Sequence, residues 1–321
     1  MPGTDALEAA RTVASELPDL PHLPELPSRG VGADLIGRTA ALLVDLATEV
    51  TPSGYRVTAR PGREHRRGVD LLRIDLDALE EALAATRPDW VKVQAAGPWT
   101  LAAGVELRSG HRVLTDRGAR REFAVSLAEG LAAHAAEVAA RTGAQVTVQL
   151  DEPALPAVLA GSLPTASGFG TVEAVPAPEA EQQLREVIEA LPAPVIVHCC
   201  AAGAPVALLR AAGAGALSLD ARLIGADTAS LDAVGAVWDV GVPLLLGLVP
   251  ALRADREPTL RELVRPALEL ADRVGFARAR LAELAVPTPT CGLAGADQEW
   301  ARRAMVLCRD LGKALAEDWA P

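Results

Sequence analysis

Short apolar runs rich in β-branched residues recur along this chain, each stopping at residues able to do chemistry and each followed by a stretch with helical spacing. The sharpest is Val195-Ile-Val-His-Cys-Cys200, a run that reads as a buried strand and ends in three side chains able to bind a soft metal. Trp90-Val-Lys-Val-Gln-Ala95 runs into Gly97-Pro-Trp-Thr100, and Gln145-Val-Thr-Val-Gln-Leu150 into Asp151-Glu-Pro153. Residues 215–219 run into Asp220, and residues 285–288 into Pro289-Thr-Cys-Gly-Leu293. Residues 242–249 form the most continuous apolar strand, and the spacing predicts helices over 115–141, 176–191, 202–212, 230–240, 259–274, 276–284 and 296–317. Strands alternating with helices build a parallel sheet. Polar residues collected at the strand C-termini predict an α/β fold of the (β/α)8 TIM-barrel type, in which those ends converge on one face.

The first third is less regular. A helix is expected over 4–17 after a Thr4 or Asp5 cap, then an extended proline-rich connection over 18–29. A long helix is expected over 33–50, an irregular excursion over 51–68 and a short helix over 77–85. A first barrel strand should precede the first helix, but the sequence opens at Met1-Pro-Gly3, so that strand is expected to be lacking or truncated. No internal repeat stands out in the 321 residues, and a single domain over 1–321 is the expected organisation. Aromatics are only 3% of a chain that is half hydrophobic, so Ala, Val and Leu must build the interior.

A net charge of −11 argues against a nucleic-acid surface, and the one basic cluster, between Arg63 and Arg67, reads as a solvated loop. No run reaches ~18 uninterrupted apolar residues, so no membrane partner is expected. Residues 1–16 are acidic and lack a basic-then-apolar leader, which points to a cytoplasmic protein. In that compartment the four cysteines read as metal ligands, catalytic thiols or core residues rather than disulfides.

His198 and Cys200 stand two apart at a strand end, Cys291 sits in a tight turn before Gly292, and Asp220 closes a strand. Imidazole, thiolate and carboxylate all suit zinc, which in catalytic sites keeps one position for substrate. A buried strand-end histidine bonded to a carbonyl, with cysteines packed as small hydrophobes, is the competing reading. Cys199 should face the opposite side from its neighbours, and Cys308 lies in a helix among Met305, Val306 and Leu311, so both read as packing. Asp151 and Glu152 either face a substrate or cap a turn before Pro153, and Trp99 either lines a pocket or packs in the core.

Asp151-Glu-Pro-Ala-Leu155, His198-Cys-Cys200, Ser218-Leu-Asp220 and Pro289-Thr-Cys-Gly-Leu293, in this order, resemble the C-terminal catalytic domain of cobalamin-independent methionine synthase. That family belongs to the superfamily it shares with uroporphyrinogen decarboxylase. Gly97-Pro-Trp-Thr100 resembles the family's Gly-Pro-x-Thr turn, and the likeness spans nearly the whole chain. The resemblance implies a TIM barrel carrying a zinc-dependent methyltransferase that acts on a small-molecule thiol, homocysteine or a relative. It implies His198, Cys200 and Cys291 as zinc ligands, with Asp220 standing where the family usually has the longer Glu. It implies Asp151 as the active-site carboxylate that holds the substrate amine, with Glu152 and Trp99 as further substrate-facing candidates.

Departures bear on the donor. The family's full-length enzymes carry a second, N-terminal barrel that helps bind polyglutamylated methylfolate, and nothing here corresponds to it. A methyl-carrying corrinoid protein or a small methyl donor is the expectation instead. The family's strand matching Gly247-Leu-Val-Pro250 continues into an Asp and a His, whereas this chain reads Pro250-Ala-Leu252. Near 51–55 the family has a His-Gly-Glu segment whose Glu also holds the amine, and Pro52-Ser-Gly54 offers no acid. Two other readings remain. A porphyrinogen-type decarboxylase would want an Arg-rich cleft, for which Arg29 is the one early candidate; a catalytically impaired zinc- or metabolite-binding barrel would serve as a sensor or partner protein.

Overall fold

The strands of the computed structural model, which describes residues 1–165 and 168–316, fall into two sheets of very different character. In chain order they are β1 (Ala47–Thr51), β2 (Gly54–Thr58), β3 (Trp90–Ala96), β4 (Val105–Glu106) and β5 (Gln145–Asp151). They continue with β6 (Val195–Cys199), β7 (Ala216–Asp220), β8 (Leu244–Val249) and β9 (Ala285–Pro289). The larger sheet has the order β3-β5-β6-β7-β8-β9, every pair parallel, as strand–helix–strand crossovers produce.

Strand parity divides two apolar populations. Val195, Val197, Cys199, Leu217, Leu219, Leu244 and Leu246 join the main core, while Ile196, Ala216 and Leu245 form a small separate cluster on the other face. The sheet is strongly curled around that second face. Laid flat at about 4.8 Å per strand, β6 and β9 would stand about 14 Å apart, yet the Sγ atoms of Cys200 and Cys291, just past their ends, are 3.6 Å apart. The architecture is a curled parallel half-barrel of six strands within the expected TIM-barrel class.

The proline-rich stretch adds a seventh position. His22 makes a parallel bridge to Lys92, Leu23 N donates to Lys92 O at 2.9 Å and Lys92 N to Pro21 O at 2.9 Å. Pro21 and Pro24 carry no N–H, so the ladder stops after one bridge and the segment pairs without becoming a regular strand. Among the described residues no ladder joins β9 back to this stretch.

The region expected as one helix over 33–50 folds otherwise. Asp34 accepts from Gly37 N at 3.0 Å and starts a helix that spans only Leu35–Ala40. The chain then passes Asp45 at φ 58° and enters the β1–β2 hairpin, whose alternating Thr and Val residues suit a pleated surface better than a helix. The irregular excursion and the short helix after it become that hairpin and one 21-residue helix, Arg63–Leu83, which buries Leu72, Leu76, Leu79 and Leu83. The Arg63–Arg67 cluster is thus the helix's first turns. Helix Arg117–Thr142 is long and apolar enough to cross a membrane by length and composition, but 56% of its most apolar window is buried inside the fold. The last helix runs Gln298–Ala316; Glu317, its expected end, lies outside the described residues.

Candidate active site

One row of the sheet register sets Ala96, Asp151, His198 and Ser218 side by side, so parity brings the last three to the inner face together. His198 Nδ1 lies 2.9 Å from Ser218 Oγ and 3.2 Å from the Ser218 carbonyl oxygen. A carbonyl only accepts, so Nδ1 carries the proton and donates, which leaves the Nε2 lone pair as the ring's free donor to a metal.

Past the ends of β6 and β9, the Cys200 and Cys291 thiols meet at 3.6 Å. Cys291 is pushed down, chiefly by the hydrogen bond from Cys200 and then by His198. Cys200 is pushed up, first by its bond to Cys291 and then by burial. The two shifts run in opposite directions because the Cys200 thiol donates to the Cys291 sulfur, with the imidazole beside it. Two sulfurs on one tetrahedral zinc, each at about 2.3 Å, would stand about 3.8 Å apart, close to the separation found here. Donor type and sulfur spacing fit zinc, although among the described residues no group of three or more His, Cys, Asp or Glu side chains is arranged to hold a metal ion as it stands.

Asp220 is oriented differently. Its Oδ1 accepts from Arg222 N and Nε, both at 3.0 Å, and its Oδ2 from Arg222 Nη2 at 2.7 Å. That chelate occupies both oxygens in the turn after β7. Gly247 lies on the next strand, where a Cβ would stand 2.8 Å from Thr290 Cα and 3.1 Å from Asp220 Cα. The absent side chain is what allows the ends of β7, β8 and β9 to crowd together.

Asp151 is buried, which raises its carboxyl above the usual range, and His198, a bond from Gln149 and Lys92 counter that rise in this order. Gln149 Nε2 donates to Asp151 Oδ1 at 2.7 Å. Glu152 turns the other way. It is fully buried, accepts from Trp99 N (2.9 Å), Thr100 N (2.8 Å) and Thr100 Oγ1 (2.8 Å), and is pushed up to about 7 by burial. Gly97 makes room for it, since a Cβ there would lie 2.4 Å from Glu152 Oε1. Trp99 is likewise fully buried, its indole N–H donating to Ala180 O at 3.0 Å. The structure thus joins Glu152 and Trp99 in a brace between the ends of β3 and β5. Cys199 and Cys308 are buried and both pushed up by burial, Cys199 to about 11.

Two groups escaped the sequence reading. Glu25, in the proline-rich stretch, is raised by burial and by Asp151 and lowered by Arg38, which places a second acid within electrostatic range of Asp151. Its side chain lies 3.7 Å from Arg38 Nε. Lys92 is a cation on the inner face of β3, lowered by burial and held up by Asp151 and Glu25. The only sequence signal for either was a lone charge inside an otherwise apolar or proline-rich run.

Known proteins share this fold. Over residues 1–314 the chain matches the family described as cobalamin-independent synthase, catalytic domain. A B12-independent methionine synthase from Shewanella sp. W3-18-1, solved in complex with selenomethionine, superposes with a TM-score of 0.62 at 14% identity, covering 98% of this chain and 88% of that one. A methyltransferase from Methanosarcina mazei superposes with a TM-score of 0.57 at 14% identity, covering 95% of this chain and 84% of that one. No curated protein matches. At such identities the superpositions speak for the fold, while the match along nearly the whole chain fixes the kinship: the chain belongs to the cobalamin-independent methionine synthase catalytic-domain family and is a methyltransferase.

Proposed function

We propose that this methyltransferase transfers a methyl group to the thiol of an amino acid, homocysteine or a close relative, at a zinc ion held by His198, Cys200 and Cys291. The observation that carries the reading is the meeting of Cys200 and Cys291 at 3.6 Å beside a histidine whose Nδ1 is committed to Ser218. When bound, zinc lowers the pKa of a thiol so that a thiolate nucleophile is available at neutral pH. With three protein donors, one position stays open for that thiol. The chain's own residues do the rest. Ser218 fixes the imidazole, Asp151 accepts the substrate ammonium, and Glu25 is a second acid within electrostatic range of Asp151.

The Shewanella protein is described as a methionine synthase bound to selenomethionine, and an amino-acid acceptor is carried over from it. That chain is covered over 88% of its length, which leaves no room for a second barrel of this size, so a single barrel is compatible with the acceptor chemistry. The donor we favour is a methyl-carrying corrinoid protein or a small methylated molecule rather than polyglutamylated methylfolate. Protein expressed in zinc-replete medium should retain about one zinc per chain and methylate homocysteine in preference to simple alkyl thiols. Retention of no zinc would overturn the reading.

The Asp220–Arg222 chelate favours a second reading, an impaired barrel that binds zinc or a metabolite as a sensor or partner. Zinc bound stoichiometrically with no methyl transfer to any thiol, from a methylcorrinoid or a small donor, would select it.

A further inference from the structure

Below the site, on the inner face, a chain of hydrogen bonds crosses three neighbouring strand positions. Lys92 Nζ donates to Gln149 Oε1 at 3.0 Å and to Gln94 Oε1 at 3.3 Å. Gln94 Nε2 donates to Leu23 O at 2.6 Å, and Gln149 Nε2 to Asp151 Oδ1 at 2.7 Å. The direction of every bond is fixed by chemistry. An ammonium only donates, and a backbone carbonyl and a carboxylate only accept, so each amide must turn its oxygen to Lys92 and its nitrogen away. Gln94 and Gln149 are register partners, which places the ammonium against both. Reversing either amide would set two donors or two acceptors face to face.

The far end of the chain is the Asp151 carboxylate. Its Oδ1 is tied by Gln149, and no protein group donates to its Oδ2 among the described residues.

We infer that Lys92 is a positioning residue for the substrate ammonium, acting through the Gln149 amide to tie one oxygen of Asp151 and leave the other to accept from substrate. The inference rests on the proposed role of Asp151. Lys92 itself touches no reacting atom; its ammonium strengthens the Gln149 donor, because bonds linked in series polarise one another in a low-dielectric interior. Removing the ammonium frees the amide to flip and Asp151 to rotate.

The test compares two thiols on the zinc-loaded protein by calorimetry: L-homocysteine, and 4-mercaptobutyrate, which lacks only the amine. Wild type should bind homocysteine at least tenfold more tightly. In Lys92→Met homocysteine binding should weaken about tenfold, the scale of a charge-assisted bond, while 4-mercaptobutyrate stays within about twofold. Gln149→Met breaks the same chain at its next link and should give the same selective loss, with no further loss in the double variant. It also carries the test if Lys92→Met fails to fold.

Equal weakening for both thiols would make Lys92 a scaffold residue and overturn the inference. So would unchanged homocysteine binding in both variants while Asp151→Asn loses tenfold. If Asp151→Asn itself keeps the preference for homocysteine, the ammonium reading fails, and the positioning role fails with it.

Discussion

Asp151 and Glu152 are neighbouring acids at the end of β5, and Cys199 and Cys200 are neighbouring thiols at the end of β6. Within each pair the two side chains meet opposite surroundings. Asp151 and Cys200 turn to the inner face, where the other partners are His198, Cys291 and Lys92. Glu152 and Cys199 turn to the helix side, where both are buried, and burial pushes them up to about 7 and about 11. A group's chemistry in this fold is therefore set by strand parity before residue type.

The sharpest way to break this comparison is to interchange losses between faces. If zinc sits as proposed, Cys200→Ser, Cys291→Ser or His198→Ala should release nearly all of it and lower methyl transfer at least about a hundredfold, since each would remove a direct ligand. Cys199→Ala and Cys308→Ala should keep the metal by elemental analysis. A Cys199 variant that empties the site would collapse the distinction.

The acids offer the next largest effect. Glu152, raised to about 7 against 4.5 in the open chain, binds a proton more tightly folded than unfolded. Its contribution is thus fully present below about pH 4.5 and lost as pH rises through 7, on the order of 3 kcal/mol. Urea unfolding at pH 5 and pH 8 should show the decline, and Glu152→Gln should flatten it. An unchanged slope in that variant would place the titration elsewhere.

Smaller is the cost of polarity in the core. Cys308→Ser places a hydroxyl where the thiol is only 5% exposed and should lower stability by about 2 kcal/mol, whereas Cys200→Ser should leave urea stability of the metal-free protein within about 0.5 kcal/mol. The smallest effect concerns Arg222, whose side chain is 57% exposed. Arg222→Ala should barely alter stability, as exposed pairs contribute about 0–1 kcal/mol. It releases the Asp220 carboxylate, and zinc affinity measured by competition should rise a fewfold if that acid is a fourth donor.

Much of the sheet was legible because each run from Trp90 onward carries its own parity and ends at a chemically distinct residue. That His198, Cys200 and Cys291 lie at neighbouring strand ends was legible for the same reason, whereas Asp220, read with them, turns to Arg222 instead. The hairpin was hidden because Ala47-Thr-Glu-Val-Thr51 continues the apolar spacing of the helix before it, and only the cap at Asp34 and the turn at Asp45 separate the two. Glu25 was hidden by its prolines: a segment that cannot complete a ladder reads as a connection, yet it lies along β3 and carries an acid within electrostatic range of Asp151. The Asp220–Arg222 chelate depends on the turn after β7, which no periodicity encodes.

The two sulfurs that meet at 3.6 Å are separated by 91 positions of sequence. Whatever bridges them also closes that length of chain into a ring, and a cross-link of this span removes roughly 4–5 kcal/mol of freedom from the unfolded polypeptide. A zinc ion held as proposed would act as a clasp on the C-terminal part of the sheet. Occupancy of the site and the melting temperature would then become readings of one equilibrium, so that zinc supply would bear on the stability of the fold as well as on activity.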